Sequence, residues 1–318
     1  MSDVEPLDVS DLREAFAEEL KRRRFAAGPG CYANERDGEE ALYGLTGAVN
    51  VCAALGLPLG DRAARKEWAR RILAHRHKNG HFEGGSGPGH ALHMVVGALN
   101  LLGEPIPADI GPLAPTDPKA LTAWLDGLDW TTTHKAFCGE TIPLLASGRV
   151  SDAWREAFVR KVAGRLNPDR PRETWCKADA APWRVISCTY HVLSAFDAGR
   201  IPYPESDLLL RRLLGLRWEK GEDDVHRTIC TDGDWALLLL RLRNQRPAES
   251  ERIMQAIRTV SARRVRAWRA DPEAVLSNST HNLYCYLWVT AVFQSCVRDH
   301  YRGGFVKDTL NDPFLYRL

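Results

Sequence analysis

Histidine, tyrosine, tryptophan and carboxylate residues gather at one kind of place in this 318-residue chain, the start of segments that are otherwise apolar. His90 and His93 open one such segment and, three positions apart, share a face if it is helical. Trp130, His134, Cys138 and Glu140 open a second. Trp175, Trp183 and Arg184 lead into a third, which carries Cys188, Tyr190 and His191. Cys230, Asp232, Asp234 and Trp235 open a fourth, and His281, Asn282 and Tyr284 a fifth, while Tyr43 sits with Glu40 at the earliest one.

Two kinds of chemistry suit these residue types. Asp232, Asp234 and Glu140 can act as general acid or base, with His191 and His281 as alternatives that titrate near neutrality. Two carboxylates near one site push their pKa values apart, which glycoside hydrolysis requires. The indoles of Trp130, Trp175, Trp183 and Trp235 offer apolar faces with an N–H handle for sugar rings, and Arg184 suits an acidic sugar through bidentate pairing. Tyr43, His90, His93, His134, Tyr190, Asn282 and Tyr284 complete the candidate substrate-binding set.

Each residue also has a structural alternative. Asp232 fits an N-cap, His191 fits a core histidine bonded to a carbonyl, and Cys138, Cys188, Cys230 and Cys285 fit packing positions. The gathering of these types at one end of five segments is harder to obtain from packing alone.

Helices must position them. Hydrophobic periodicity marks six strongly amphipathic segments, Asp11–Phe25, Arg62–Arg76, Pro118–Leu128, Asp152–Leu166, Ser206–Leu216 and Glu249–Trp268. Six more are apolar nearly all round, Ala41–Leu55, His90–Leu102, His134–Ser147, Val185–Ala198, Asp234–Arg243 and Asn282–Cys296, and must be enclosed by protein. The two kinds alternate strictly. Asp117-Pro118 and Asp271-Pro272 give a cap followed by Pro at the first helical position, and Asp37 with Glu40 reads as a variant capping box. Gly56, Gly103, Gly148 and Gly199 stand where left-handed C-caps are needed, with Asn244 in the corresponding place of the fifth hairpin. These endings lie about 45 to 51 residues apart, the mark of a repeated supersecondary unit.

The reading is an all-α chain, residues 1–318 forming a single (α/α)6 toroid of about twelve helices in six hairpins, with 299–318 a C-terminal tail packing on the barrel or lidding it. An open solenoid of helix pairs is the rival, but its inner helices usually keep a polar edge along the concave face. The segment Lys78-Asn79-Gly80-His81-Phe82-Glu83-Gly84-Gly85, followed by His90–Gly103, resembles the glycine-and-aromatic repeat of protein prenyltransferase β subunits and terpenoid cyclases. The alternation of twelve helices is similar to that of six-hairpin glycosidases and uronyl hydrolases. The D-x-D-D acid motif of class II cyclases is missing. Such resemblance implies a funnel whose active site lies where the inner helices begin, a mouth whose exposed N–H groups and helix dipoles favour anionic or polar ligands.

Composition narrows the classes. With 44% hydrophobic and 26% charged residues the chain is an ordinary globular protein, and a formal net charge of +2 argues against nucleic-acid or membrane-surface partners. Ala41–Gly60 carries no charge but holds four glycines and a proline, so a buried helix is expected rather than a membrane span. The 8 cysteines form no C-x-x-C pair, which favours a reducing compartment, and Met1–Leu12 lacks the apolar core of a secretory signal; a cytoplasmic protein is expected. The stretches Leu276–Thr280 and Trp218–Thr231 are expected as connections at the same mouth.

The expected function is enzymatic: a hydrolase, lyase or epimerase acting on a polar, anionic, carbohydrate-like small molecule by carboxylate or histidine general acid–base catalysis, without a cofactor. The first alternative is an isoprenoid transferase or cyclase with aromatic walls and zinc held by Cys230, Asp232 and His281. The second is a non-catalytic helical-repeat scaffold that binds a partner.

Overall fold

The computed structural model describes residues 6–78, 80–82, 88–107, 109–111, 113–130, 134–146, 148–166, 175–176, 180–218 and 229–303. Its first half contains α1 (Ser10–Arg22), α2 (Leu42–Leu55), α3 (Arg62–Ala74), α4 (Pro88–Leu102), α5 (Pro118–Gly127), α6 (His134–Ala146) and α7 (Asp152–Ala163). The second half contains α8 (Pro182–Ala198), α9 (Ser206–Gly215), α10 (Ile229–Gln245), α11 (Ser250–Ala270), the short α12 (Pro272–Leu276) and α13 (Thr280–Cys296). The only strands among the described residues are β1 (Leu7–Asp8) and β2 (Tyr301–Arg302), paired in parallel, so the class is all-α. Within the described residues no helix is long and apolar enough to cross a membrane.

Sequence explains which helices are enclosed. α2 carries no charge, and all of it except Tyr43 and Ala53 is buried; in α13 every residue from Leu283 to Phe293 is buried. α1 and α3 instead bury one stripe each, Leu12, Phe16, Glu19 and Leu20 in the first and Trp68, Ala69 and Ile72 in the second. The apolar helices pack in the order α2 on α4, α4 on α6, α6 on α8, α8 on α10 and α10 on α13, and α13 packs on α2. The amphipathic helices cover them: α1 lies on α2, α3 on α2 and α4, α9 on α10, and α11 on α10 and α13. Aromatic rings knit the layers, with Phe137 of α6 stacked on Trp124 of α5 and Phe158 of α7, and Phe158 set against Phe196 of α8. Phe137, Phe158 and Phe196 are fully buried, and each stabilises the fold by roughly 1.5–3 kcal/mol relative to exposure.

Helix approach depends on small residues where backbones nearly touch. A Cβ at Gly139 of α6 would stand 2.2 Å from the Gly89 carbonyl oxygen of α4, which is backbone and cannot rotate away. Gly139→Ala is therefore expected to destabilise by about 1–3 kcal/mol through overpacking, read as a lower denaturation midpoint; an unchanged midpoint would mean that α4 and α6 can slide apart freely.

The expected caps are partly corrected. Asp61, Asp117, Ser151, Asp271 and Ser279 accept first-turn N–H bonds, and Gly56, Gly103 and Gly148 take positive φ. Gly199 does not: it is right-handed at φ −81°, and exposed Arg200 takes the left-handed turn at φ 53° instead. Asn244 lies inside α10 and caps nothing. Asp37 and Glu40 form no capping box, since α2 is preceded by Ala41 without a side-chain cap and Glu40 pairs with Arg71 and His75 of the α3 region. Arg264, in the strongly amphipathic segment Glu249–Trp268, lies on the buried side of that helix.

Candidate functional site

Four helices bring imidazole and phenol groups together, three of them from their first turns. Tyr43 lies in the first turn of α2, His90 in that of α4 and His281 in that of α13; Cys138 follows one turn into α6, and His191 lies further along α8. Tyr43 Oη is 2.7 Å from His90 Nδ1. The His281 ring stacks on Tyr43 with centroids 4.9 Å apart, and it meets His90 edge-on at 5.2 Å. On its other side His90 meets His191 edge-on at 6.3 Å. The rings of α4, α8 and α13 thus converge, although α4 packs chiefly on α2 and α6.

Two thiols and further aromatics border these rings. Cys138 Sγ lies 3.8 Å from His191 Nδ1, and Cys285 Sγ 3.8 Å from His281 Nε2. Tyr190 packs between His191 and Trp288, and Tyr284 lies 6.4 Å from His281. His93, one turn beyond His90 and buried, has its pKa pushed down to about 4 by desolvation, so it is neutral at physiological pH. A tyrosine hydroxyl in contact with an imidazole, flanked by a second stacked imidazole, is suited to moving a proton on and off a substrate atom.

The remaining expected residues stand elsewhere or in other roles. Asp232 is fully buried, where its carboxylate accepts hydrogen bonds from Trp218 Nε1 at 2.7 Å and from Arg264 Nε, with the Arg263 guanidinium 3.8 Å away. It is the centre of an ion pair between α10 and α11, a constraint that the spacing along α10 alone does not reveal. Asp234 is buried on the same helix. Trp130, Trp175 and Trp235 are packing residues whose Nε1 atoms donate to the carbonyls of Leu125, Val162 and Leu213. Trp183 differs: it is 41% exposed at the start of α8, with the exposed Arg184 guanidinium 6.0 Å from its ring centroid. Asn282 is half-buried and donates to Asn278 across the turn before α13. The side chain of His134, residues 83–87, residues 219–228 and the tail from 304 lie outside the described residues.

Glu140 sits half-buried on α6, where the Ala114 N–H bonds its backbone carbonyl. Burial pushes its carboxyl pKa up to about 7. A raised carboxyl pKa favours the folded state below pH 4.5, and that advantage fades as pH rises through 7. Glu140→Gln is accordingly expected to stabilise the protein at pH 8 by about 1–2 kcal/mol, after allowing for solvent screening, and to leave it unchanged at pH 4.5. Parallel melting curves at the two pH values check this; a destabilised pH 8 variant would mean that the carboxylate is paired in solution.

Cys230 is exposed and Asp232 is occupied by Arg264. No set of three or more His, Cys, Asp or Glu side chains among the described residues is placed to hold a metal ion, so Cys230, Asp232 and His281 do not form a ligand set. Comparison with protein-family models, curated proteins and solved structures finds no match. The residues that sequence reasoning missed are Trp288, deep in an apolar helix with no local signal, and Arg264, a charged residue on the buried side of the amphipathic segment Glu249–Trp268.

Proposed function

We propose that the six helix pairs close into an α/α toroid, and that the end where the apolar helices begin carries an enzyme site moving protons on a polar, anionic, carbohydrate-like small molecule. The chemistry is that of a lyase or epimerase: removal of a proton from carbon next to a carboxylate or carbonyl, and delivery of a proton to the leaving oxygen or the opposite face. The observation that carries this reading is the 2.7 Å contact between Tyr43 Oη and His90 Nδ1, with His281 stacked against the same phenol. Phenol and imidazole can exchange a proton at that distance, and a second imidazole supplies the complementary acid or base.

The packing order returning from α13 to α2 supports ring closure over an open solenoid. Hydrolysis by paired carboxylates is the weaker variant, because Asp232 is committed to Arg264 and Trp218. Trp183 and Arg184 at the start of α8 suit the rim, where an exposed indole and a guanidinium would take a sugar ring and its carboxylate. The same reading makes the protein a cytoplasmic enzyme working on a free small molecule.

Solvent-deuterium incorporation tests it. The protein is incubated in D2O with uronic acids, their short oligomers and neutral sugars, and exchange at carbon is read by NMR alongside any unsaturated or epimeric product. Exchange with acidic sugars supports the proposal. No exchange with any sugar, together with thermal stabilisation by isoprenoid diphosphates alone, would overturn it in favour of isoprenoid chemistry.

A further inference from the structure

We propose that the buried Glu19–Arg23 pair is a positioning device that sets the His281 ring against Tyr43; its functional importance rests on the proton-transfer reading above. Glu19 and Arg23 lie one turn apart on α1, joined at 2.9 Å, with side-chain exposures of 1% and 0%. Arg36 places a second guanidinium on Glu19 at 2.7 Å. Arg23 then reaches away from its own helix, donating through Nη1 to the Asn34 carbonyl at 2.8 Å and through Nη2 to the Leu276 carbonyl at 2.7 Å.

Those two carbonyls flank the start of α13. Thr280 N donates to the Asn34 carbonyl at 2.6 Å, and its hydroxyl donates to the Ala33 carbonyl at 2.7 Å. The next residue is His281, whose N–H points to Asn34 Oδ1 at 3.4 Å. From the other side this segment is pressed onto α2 beside Tyr43. A Cβ at Gly44 would lie 2.5 to 2.6 Å from the backbone of Tyr32, Ala33 and Asn34, and one at Gly47 would lie 3.1 Å from the Thr280 carbonyl. One buried cation therefore fastens the end of α12, the Ala33–Asn34 segment and the first turn of α13 into a block seated on the two glycines next to Tyr43. The stack of His281 on Tyr43, 4.9 Å apart and 20° from parallel, follows from that seating.

A buried ion pair gives little net stability over an apolar replacement of the same volume, because desolvation offsets the attraction. What the pair does provide is direction. The planar fork of arginine meets one carboxylate and two carbonyls at fixed angles, which a lysine ammonium does not reproduce.

The test uses the whole chain with variants Arg23→Met, Arg23→Lys, Thr280→Val and Thr280→Ser. The readout is the NMR signal of the His281 ring protons, assigned by their loss in His281→Gln. Stacking on Tyr43 shifts these protons upfield. Arg23→Met, Arg23→Lys and Thr280→Val are expected to lose that shift, and Thr280→Ser, which keeps the hydroxyl, to retain it. If Arg23→Met does not fold, Thr280→Val decides. Lowered melting temperatures with an unmoved His281 signal in Arg23→Lys and Thr280→Val would reduce the pair to a stability element and overturn the proposal. An inactive wild type in the deuterium assay would sink the enzymatic reading alone, because the ring shift reports position whether or not turnover occurs.

Discussion

Asp232→Ala is expected to lower stability by about 3–5 kcal/mol, a fall in melting temperature of roughly 10 °C for a chain of this size. The cause is the loss of the carboxylate that a buried guanidinium faces. Arg264 is 2% exposed, and its Nε–H is directed at the Asp232 carboxylate. Trp218 Nε1 donates to the same carboxylate and would lose its acceptor as well. The partly exposed Arg263 is no substitute, since it too is positive. Carboxylate and guanidinium cost about the same to desolvate as they gain by pairing, so removing both should cost far less than removing either. Asp232→Leu with Arg264→Met is expected to regain most of the loss, and denaturant titration of the two single variants and the double variant closes the cycle. A variant that melts at the wild-type temperature yet abolishes proton exchange would return Asp232 to the catalytic machinery and refute the structural role.

That ion pair also shows where legibility in the sequence stops. An apolar helix can be read because burial on every side forbids charge, and α2, α4, α6, α8, α10 and α13 lie where the apolar runs are. Their starts were less visible. α8 begins at Pro182, ahead of its apolar pattern, because its exposed first turn has no need of apolar residues, and α10 begins at Ile229 because its first turn buries the polar Thr231 and Asp232 instead. The polar residues that interrupt those runs mark the candidate site, and the convergence of Tyr43, His90 and His281 follows from their common place in the first turns of α2, α4 and α13, whereas His191 reaches them from the middle of α8. Which way each side chain turns is a different question. Asp232 turns outward to α11 and Trp130 packs against Phe137, whereas His90 turns to meet rings of three other helices. Periodicity fixes the angle between residues of one helix, but the rotation of that helix against its neighbours is set by contacts such as Gly139 on Gly89, far apart in sequence. The left-handed turn at Arg200 has the same origin: the path toward α9 selects the residue that must bend, and an exposed arginine bends at modest cost.

Tyr43→Phe provides the sharpest separation of chemistry from packing. The phenyl ring retains the stack on His281 and the shape of the α2 first turn, and only the hydroxyl is lost. Tyr43 is half-buried, so the stability cost should stay near 1 kcal/mol, that of one hydrogen bond. If the hydroxyl carries the proton, turnover should fall by about 10²- to 10⁴-fold, the usual worth of one acid–base group. The substrate KM should change little, because the group acts on the reacting proton rather than on binding. His90→Gln should give a comparable loss, and the double variant should be scarcely worse than either single one, as expected for two groups that work as a unit. Turnover is read from deuterium incorporation and stability from melting curves on the same samples. A loss of activity that merely tracks a loss of stability would make Tyr43 and His90 a packing pair. Full activity in Tyr43→Phe with none in His281→Gln would transfer the proton to the imidazoles alone, with the phenol serving only as the surface on which His281 rests.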